Sequence, residues 1–226
     1  MKGLAGSVQS LLDEKAPLLD PREADTAIFY SISNCQQGLA GISFGNFLIK
    51  RVVDVLSAEF RDLRTFATLS PIPGFRPWLD EKLAAGEPGL LSDEEAASLI
   101  SALPASSGTK ALAGILAKRG WWRETGLRKT AEPVLVRLCA RYLLAESNGG
   151  KRTRDPVAHF HLSNGARIER INMLGDTSEK GAKESATLMV NYLYDQAKID
   201  DWHEDYAGEG KRNASTTVRR LARGWA

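Results

Sequence analysis

The 226-residue sequence predicts a mixed α/β (α+β) fold, in which a mixed sheet carries a helical insertion. Three observations lead there. A strand, a glycine-rich turn, a helix and a second strand follow one another over residues 26–70; a helical pattern runs over 76–147; and two alternating segments flank the dipeptide Asn164-Gly165. The first is a βαβ unit, whose connection favours a parallel pair with a right-handed crossover. The last reads as an antiparallel hairpin, because Asn-Gly suits the tight turns that match strand twist. No internal repeat is present, so a doubly wound sheet is not expected.

Each element has its own signal. MKGLAGSVQSLLDEKAP reads as a short amphipathic helix rather than a signal peptide, and PLLDPREAD breaks it. TAIFYSIS (26–33) is aromatic and β-branched with partial alternation, as a strand should be. NCQQGLAGISFG then carries three glycines, and in NFLIKRVVDVLSAEF (46–60) apolar residues recur at helical spacing through Phe47, Leu48, Val52, Val53, Val55 and Leu56. TFATLS (65–70) is the second strand. Within the insertion, Ser92 with Glu95 three residues on is a capping-box start, and Pro133 reads as first-turn proline. NGGKRTRD (148–155) is a basic loop, SEKGAKESATLMVNYLYDQA (178–197) reads as helix, and the stretch from Gly208 as a polar, basic, mobile tail. One domain over 1–207 with a tail over 208–226 is the expected organisation.

Composition narrows the function. With 43% hydrophobic residues the chain can bury a sizeable core, and a net charge of +2, from 30 basic and 28 acidic residues, gives no warrant for a nucleic-acid or membrane partner. No apolar run approaches the roughly 18 residues that span a bilayer. Cys35 and Cys139 lack metal or redox spacing and read as free thiols in a reducing compartment, with the cytoplasm as the default location.

Three features could carry chemistry. The turn from Gly38 through Leu39, Ala40, Gly41 and Ser43 to Gly45 feeds a helix N-terminus, where free amides and the helix dipole suit a pyrophosphate. Its spacing matches neither a P-loop nor a dinucleotide fingerprint, so a plain strand-to-helix turn stays open. His159 and His161 would share one face of a strand, yet a metal site needs a third good ligand, and His203 has only solvated carboxylates beside it. No metal is expected, and one histidine is read as a general acid or base. Ser70, in TLSPIPGF, lacks the pattern of a nucleophile elbow; on the residues alone a turn serine remains open.

Four blocks, FYSISNCQQGLAGISFGNFLIKRVV, TFATLSPIPGF, DPVAHFHLSNGARIERIN and GDTSEKGAKESATLMVNYLY, resemble the catalytic domain of malonyl-CoA decarboxylases, in that family's order, over about residues 26–195. The resemblance implies a fold like that of GNAT acetyltransferases. It implies that Ser70 and His161 are catalytic, and that Ser31 and Tyr194 belong to the active-site surroundings. Coenzyme A would enter as part of malonyl-CoA and leave as acetyl-CoA, with no separate cofactor; its pyrophosphate would lie on Gly38–Gly45 and its 3′-phosphate near Lys151, Arg152 and Arg154. Ser43 stands where animal members carry a glutamate. The family's upstream helical domain is absent from these residues, and homo-oligomerisation is left open. An acyl-CoA-dependent acyltransferase and a non-catalytic acyl-CoA-binding remnant stand as alternatives.

Overall fold

The computed structural model describes residues 1–17, 20–30 and 45–223, with backbone only over 45–48. A short helix α1 (Val8–Leu11) precedes β1 (Thr26–Tyr30), α2 (Gly45–Glu59) and β2 (Thr65–Leu69). β1 and β2 pair in parallel from Thr26 opposite Thr65 to Tyr30 opposite Leu69, as the βαβ pattern predicts.

The insertion follows as α3 (Phe75–Ala85), α4 (Asp93–Ala102), α5 (Gly108–Ala117), a 3₁₀ turn at Trp121–Arg123 and the long α6 (Thr125–Ala145). Ser92 and Glu95 form the expected capping box, and the Glu95 carboxylate also accepts two hydrogen bonds of 2.6 Å from Arg137 on α6. Pro133 lies inside α6 rather than in a first turn. Only the preceding turn has to do without its amide donor, and a 21-residue helix packed through Leu127, Leu135, Leu138 and Leu143 tolerates that loss.

Three readings of the C-terminal third need correction. The segment before Asn164-Gly165 is a helix, α7 (Pro156–Ser163), followed by β3 (Arg167–Asn172). Asp155 caps α7 by accepting from the amides of Val157 and Ala158, and Pro156 occupies its first turn, so end effects outweigh the weak alternation of VAHFHL. Gly165 does supply a positive φ of 74°, but as a helix stop rather than a hairpin. The stretch 178–197 is likewise split, into α8 (Glu179–Ser185) and β4 (Met189–Tyr194). The break is made by Ala186 and Thr187 at φ of 51° and 69°, left-handed positions with no glycine to announce them.

Among the described residues four strands are ordered β1-β2-β4-β3, with β4 antiparallel to both neighbours. A late antiparallel pair therefore exists, with α8 between its strands instead of a tight turn. The stretch after Gly208 carries structure too: Ala214 bridges Ile168 on β3, and α10 (Thr216–Leu221), with Val218 buried, packs on α6 and β3, while α9 (Ile199–Glu204) and a π turn at Asp205–Glu209 pack on α7 just before it. Across β4, buried Asn191 gives its amide hydrogens to the carbonyls of Ala5 and Thr68, at 3.0 and 2.7 Å, and ties the N-terminal segment to the central strands. No helix among the described residues is long and apolar enough to cross a membrane.

The stop after α7 has no room for a side chain. A Cβ on Gly165 would lie 2.2 Å from the Ile199 carbonyl oxygen. With left-handed strain added to overpacking, Gly165→Ala should cost about 2–4 kcal/mol in denaturant unfolding.

Candidate active site

β2 ends against β4. Ser70, the next residue, donates its amide to the Val190 carbonyl and accepts from the Val190 amide, both at 2.9 Å, so its backbone is fixed by a ladder rather than by the prolines that follow it. Alternation along the strand places Thr68 and Ser70 on one face. The Thr68 hydroxyl oxygen accepts from the Ser70 hydroxyl at 2.9 Å and from the Tyr192 amide at 3.2 Å.

His161 reaches this point from α7. Its ring is 2% exposed, with Nε2 2.9 Å from Ser70 Oγ and Nδ1 2.8 Å from the Tyr194 hydroxyl. The ring stacks on Tyr192 at 4.4 Å and meets the edge of Phe160 at 5.0 Å. Tyr192 and Tyr194 flank His161 together because β4 is a strand, whose alternate residues share a face; in a helix they would diverge.

Hydrogen counting assigns the tautomer. Ser70 has one hydroxyl proton and gives it to Thr68, so the bond between Ser70 and His161 must use a proton on Nε2. Nδ1 is then the acceptor, and Tyr194 donates to it. Burial pushes the imidazole down to about 3 and raises the Tyr194 phenol. The result is an uncharged chain from Tyr194 through His161 and Ser70 to Thr68. In this arrangement His161 donates to Ser70 and does not draw off its proton, which disfavours serine as a nucleophile.

The structure brings together Ser70, His161 and Tyr194. Ser31, Gly38, Leu39, Ala40, Gly41 and Ser43 lie outside the described residues, as does Cys35, and Gly45 is described only as the start of α2. Lys151 donates to the Gly208 carbonyl and Arg154 to Glu81, while Arg152 has the effect of lowering the His159 basicity, after the larger effect of burial. His159 does not accompany His161. On a helix the two point apart, and His159 instead meets the Tyr206 hydroxyl at 2.8 Å. Among the described residues no three ligand-type side chains cluster as a metal site would require.

Three contributors escaped the sequence reading. Thr68 was findable two positions before Ser70 on the same strand face. Tyr192 needed β4 to be recognised as a strand. Asp155 carried a signal, Asp-Pro before an apolar run, that marks a helix start.

Fold and site together define a mixed α/β protein built around a buried, neutral Ser-His-Tyr chain at a strand end. The chain belongs to the family described as the malonyl-CoA decarboxylase C-terminal domain, whose model matches residues 1–225. It is 39% identical over 226 residues to the mitochondrial malonyl-CoA decarboxylase of Mus musculus, covering 96% of this chain and 45% of that protein. To the enzyme of the same name from Anser anser anser it is 41% identical over 198 residues, 84% of this chain and 39% of the relative. The crystal structure of malonyl-CoA decarboxylase from Rhodopseudomonas palustris superposes with a TM-score of 0.86 at 39% identity, covering 97% of this chain and 47% of that one. The Agrobacterium vitis enzyme gives 0.85 at 40%, over 97% and 50%. The chain thus spans under half the length of the two vertebrate relatives.

The buried imidazole makes stability depend on pH. The unfolded chain binds a proton on this histidine near pH 6.5, whereas the folded chain resists protonation to about pH 3. The stabilisation is complete above pH 6.5 and is lost as pH falls towards 3, at a slope of up to about 1.4 kcal/mol per pH unit. Denaturant melts of the wild type should show that slope, and His161→Gln should flatten it.

Proposed function

We propose that this chain carries the decarboxylation of malonyl-CoA to acetyl-CoA and carbon dioxide, with His161 as the proton donor and Ser70 as the group that orients it. The uncharged hydrogen-bond chain around His161 is the observation that carries the proposal. When the malonyl carboxylate leaves as CO2, its bonding pair passes into the thioester enolate, and the carbon that loses CO2 must then take one proton. Nε2–H, given to Ser70 in the resting chain, is the proton proposed for that carbon, and its transfer leaves an imidazolate. Tyr194 holds the tautomer that keeps the proton on the substrate side, and the proton consumed is restored from water.

Neutrality also favours the forward step. A cationic residue would hold the substrate carboxylate by an ion pair and lower the ground state, whereas the uncharged groups bonded to His161 offer no such pairing. Backbone amides of the 38–45 turn are proposed as donors to the enolate oxygen, each worth about 3 kcal/mol. Coenzyme A is carried by the substrate, so no separate cofactor is proposed. Its phosphates are assigned to that turn and to the basic loop with Lys151, Arg152 and Arg154. A fold of the GNAT acyltransferase kind agrees with the order β1, α2, β2, and the family relation supports the reaction over amine acylation.

The test is acetyl-CoA release from malonyl-CoA. Ser70→Ala and His161→Gln should each lower kcat by about 10²–10⁴-fold while remaining folded. Tyr194→Phe should lower kcat by about 10-fold, because the ring then lacks the donor that selects its tautomer. A folded wild type that binds malonyl-CoA without turnover would instead indicate a binding module.

A further inference from the structure

The two segments that supply Ser70 and His161 come from distant parts of the chain, and one fully buried carboxylate joins them. Asp155 is 0% exposed. Its Oδ1 accepts from the amides of Val157 at 3.0 Å and Ala158 at 2.9 Å, at the start of the helix that carries His161. Its Oδ2 accepts from the Gly74 amide at 3.2 Å, at the end of the Ser70–Gly74 turn, and lies 3.5 Å from the Tyr142 hydroxyl. One oxygen therefore holds each half of the site.

Gly74 shows how closely the turn is drawn in. A Cβ there would fall 2.1 Å from the Tyr142 hydroxyl and 3.3 Å from Asp155 Oδ2. Tyr142 is itself wedged between Phe75 and Trp78, with ring centroids at 5.8 and 5.2 Å, so it cannot yield. Burial holds the Asp155 carboxyl above its ordinary range, and the amides of Ala158, Gly74 and Val157 limit that rise. A helix cap can be supplied by a serine or threonine exposed to water; a buried carboxylate is costly unless all its acceptor sites are used.

We propose that Asp155 is a positioning residue for the decarboxylase site, setting the distance between Ser70 and His161 by clamping the Ser70–Gly74 turn to the first turn of α7. The assignment of turnover to these residues rests on the function proposed above; the clamp does not. Asp155→Asn separates the two arms. Its remaining carbonyl oxygen still caps α7, but the amide group facing Gly74 is a donor and cannot accept the Gly74 hydrogen.

Two readouts decide the matter in the full chain. In ¹⁵N-histidine NMR spectra, with His161→Gln to assign the ring, Asp155→Asn should shift the His161 Nε2–H correlation and broaden its tautomer pattern. In kinetics the same variant should lose about 10- to 100-fold in kcat, the scale set by a displacement near 1 Å, while the dissociation constant for coenzyme A changes less than twofold. A folded Asp155→Asn whose His161 signals coincide with those of the wild type overturns the clamp. If the wild type shows no turnover, the proposed function falls, and the NMR comparison still decides the clamp. Should Asp155→Asn not fold, Gly74→Ala provides the second route. Its methyl must push the turn off Tyr142 and lower kcat at least about 10-fold, and Gly74→Ala with Tyr142→Phe should recover most of that loss. Wild-type kcat in folded Gly74→Ala, or no recovery in the double variant, counts against the clamp.

Discussion

The pairing of β2 with β4 is the constraint from which the site follows. β2 contributes Thr68 and Ser70, β4 contributes Tyr192 and Tyr194, and the reciprocal amide bonds between Ser70 and Val190 set their relative height. Once that register is fixed, the His161 imidazole stacks on Tyr192 and is bonded at both nitrogens, to Ser70 and to Tyr194. A slip of β4 by one residue would turn both tyrosines to the face opposite Thr68 and Ser70.

Electrostatics then follows from packing. His161 has no carboxylate among its hydrogen-bond partners, so nothing offsets the loss of hydration that the charged form would suffer. A histidine is often tuned near neutrality by an acid at the second nitrogen; here a phenol takes that place, and a phenol can select a tautomer without stabilising a cation. The nearest buried acid, Asp155, spends its acceptor capacity on backbone amides at the root of α7. Charge is thereby used for geometry and kept away from the ring.

The parallel half of the sheet could be read from the sequence, since the βαβ unit of 26–70 rests on two β-branched, aromatic-bearing segments on either side of an amphipathic helix. Ser70, His161 and Tyr194 were assigned only by resemblance to a family, because the residues of TLSPIPGF alone do not tell a turn serine from a catalytic one. Where the reading failed, the competing physics was local. A cap at Asp155 and a proline at Pro156 overrode an alternation only a few residues long. Ala186 and Thr187 adopt left-handed backbone that tertiary contacts impose, so α8 and β4 looked like one helix. Segments at the end of the chain seemed too polar to pack, yet Ser215 caps α10 and Asn213 pairs with Asp205, giving polar groups the partners that allow burial.

Asn191 binds carbonyl groups at Thr68, 123 residues earlier, and at Ala5, 186 residues earlier. Between them lies a helical block whose packing is mostly local. During synthesis that block can collapse while the central sheet still lacks β4, leaving one side of β2 without its ladder. The open interval is one in which chaperone binding or faulty strand exchange between nascent chains competes with correct closure. Assembly of the Ser70–His161 pair therefore reports completion of the sheet, and a ribosome stalled before Tyr194 emerges would display the helical block with no site.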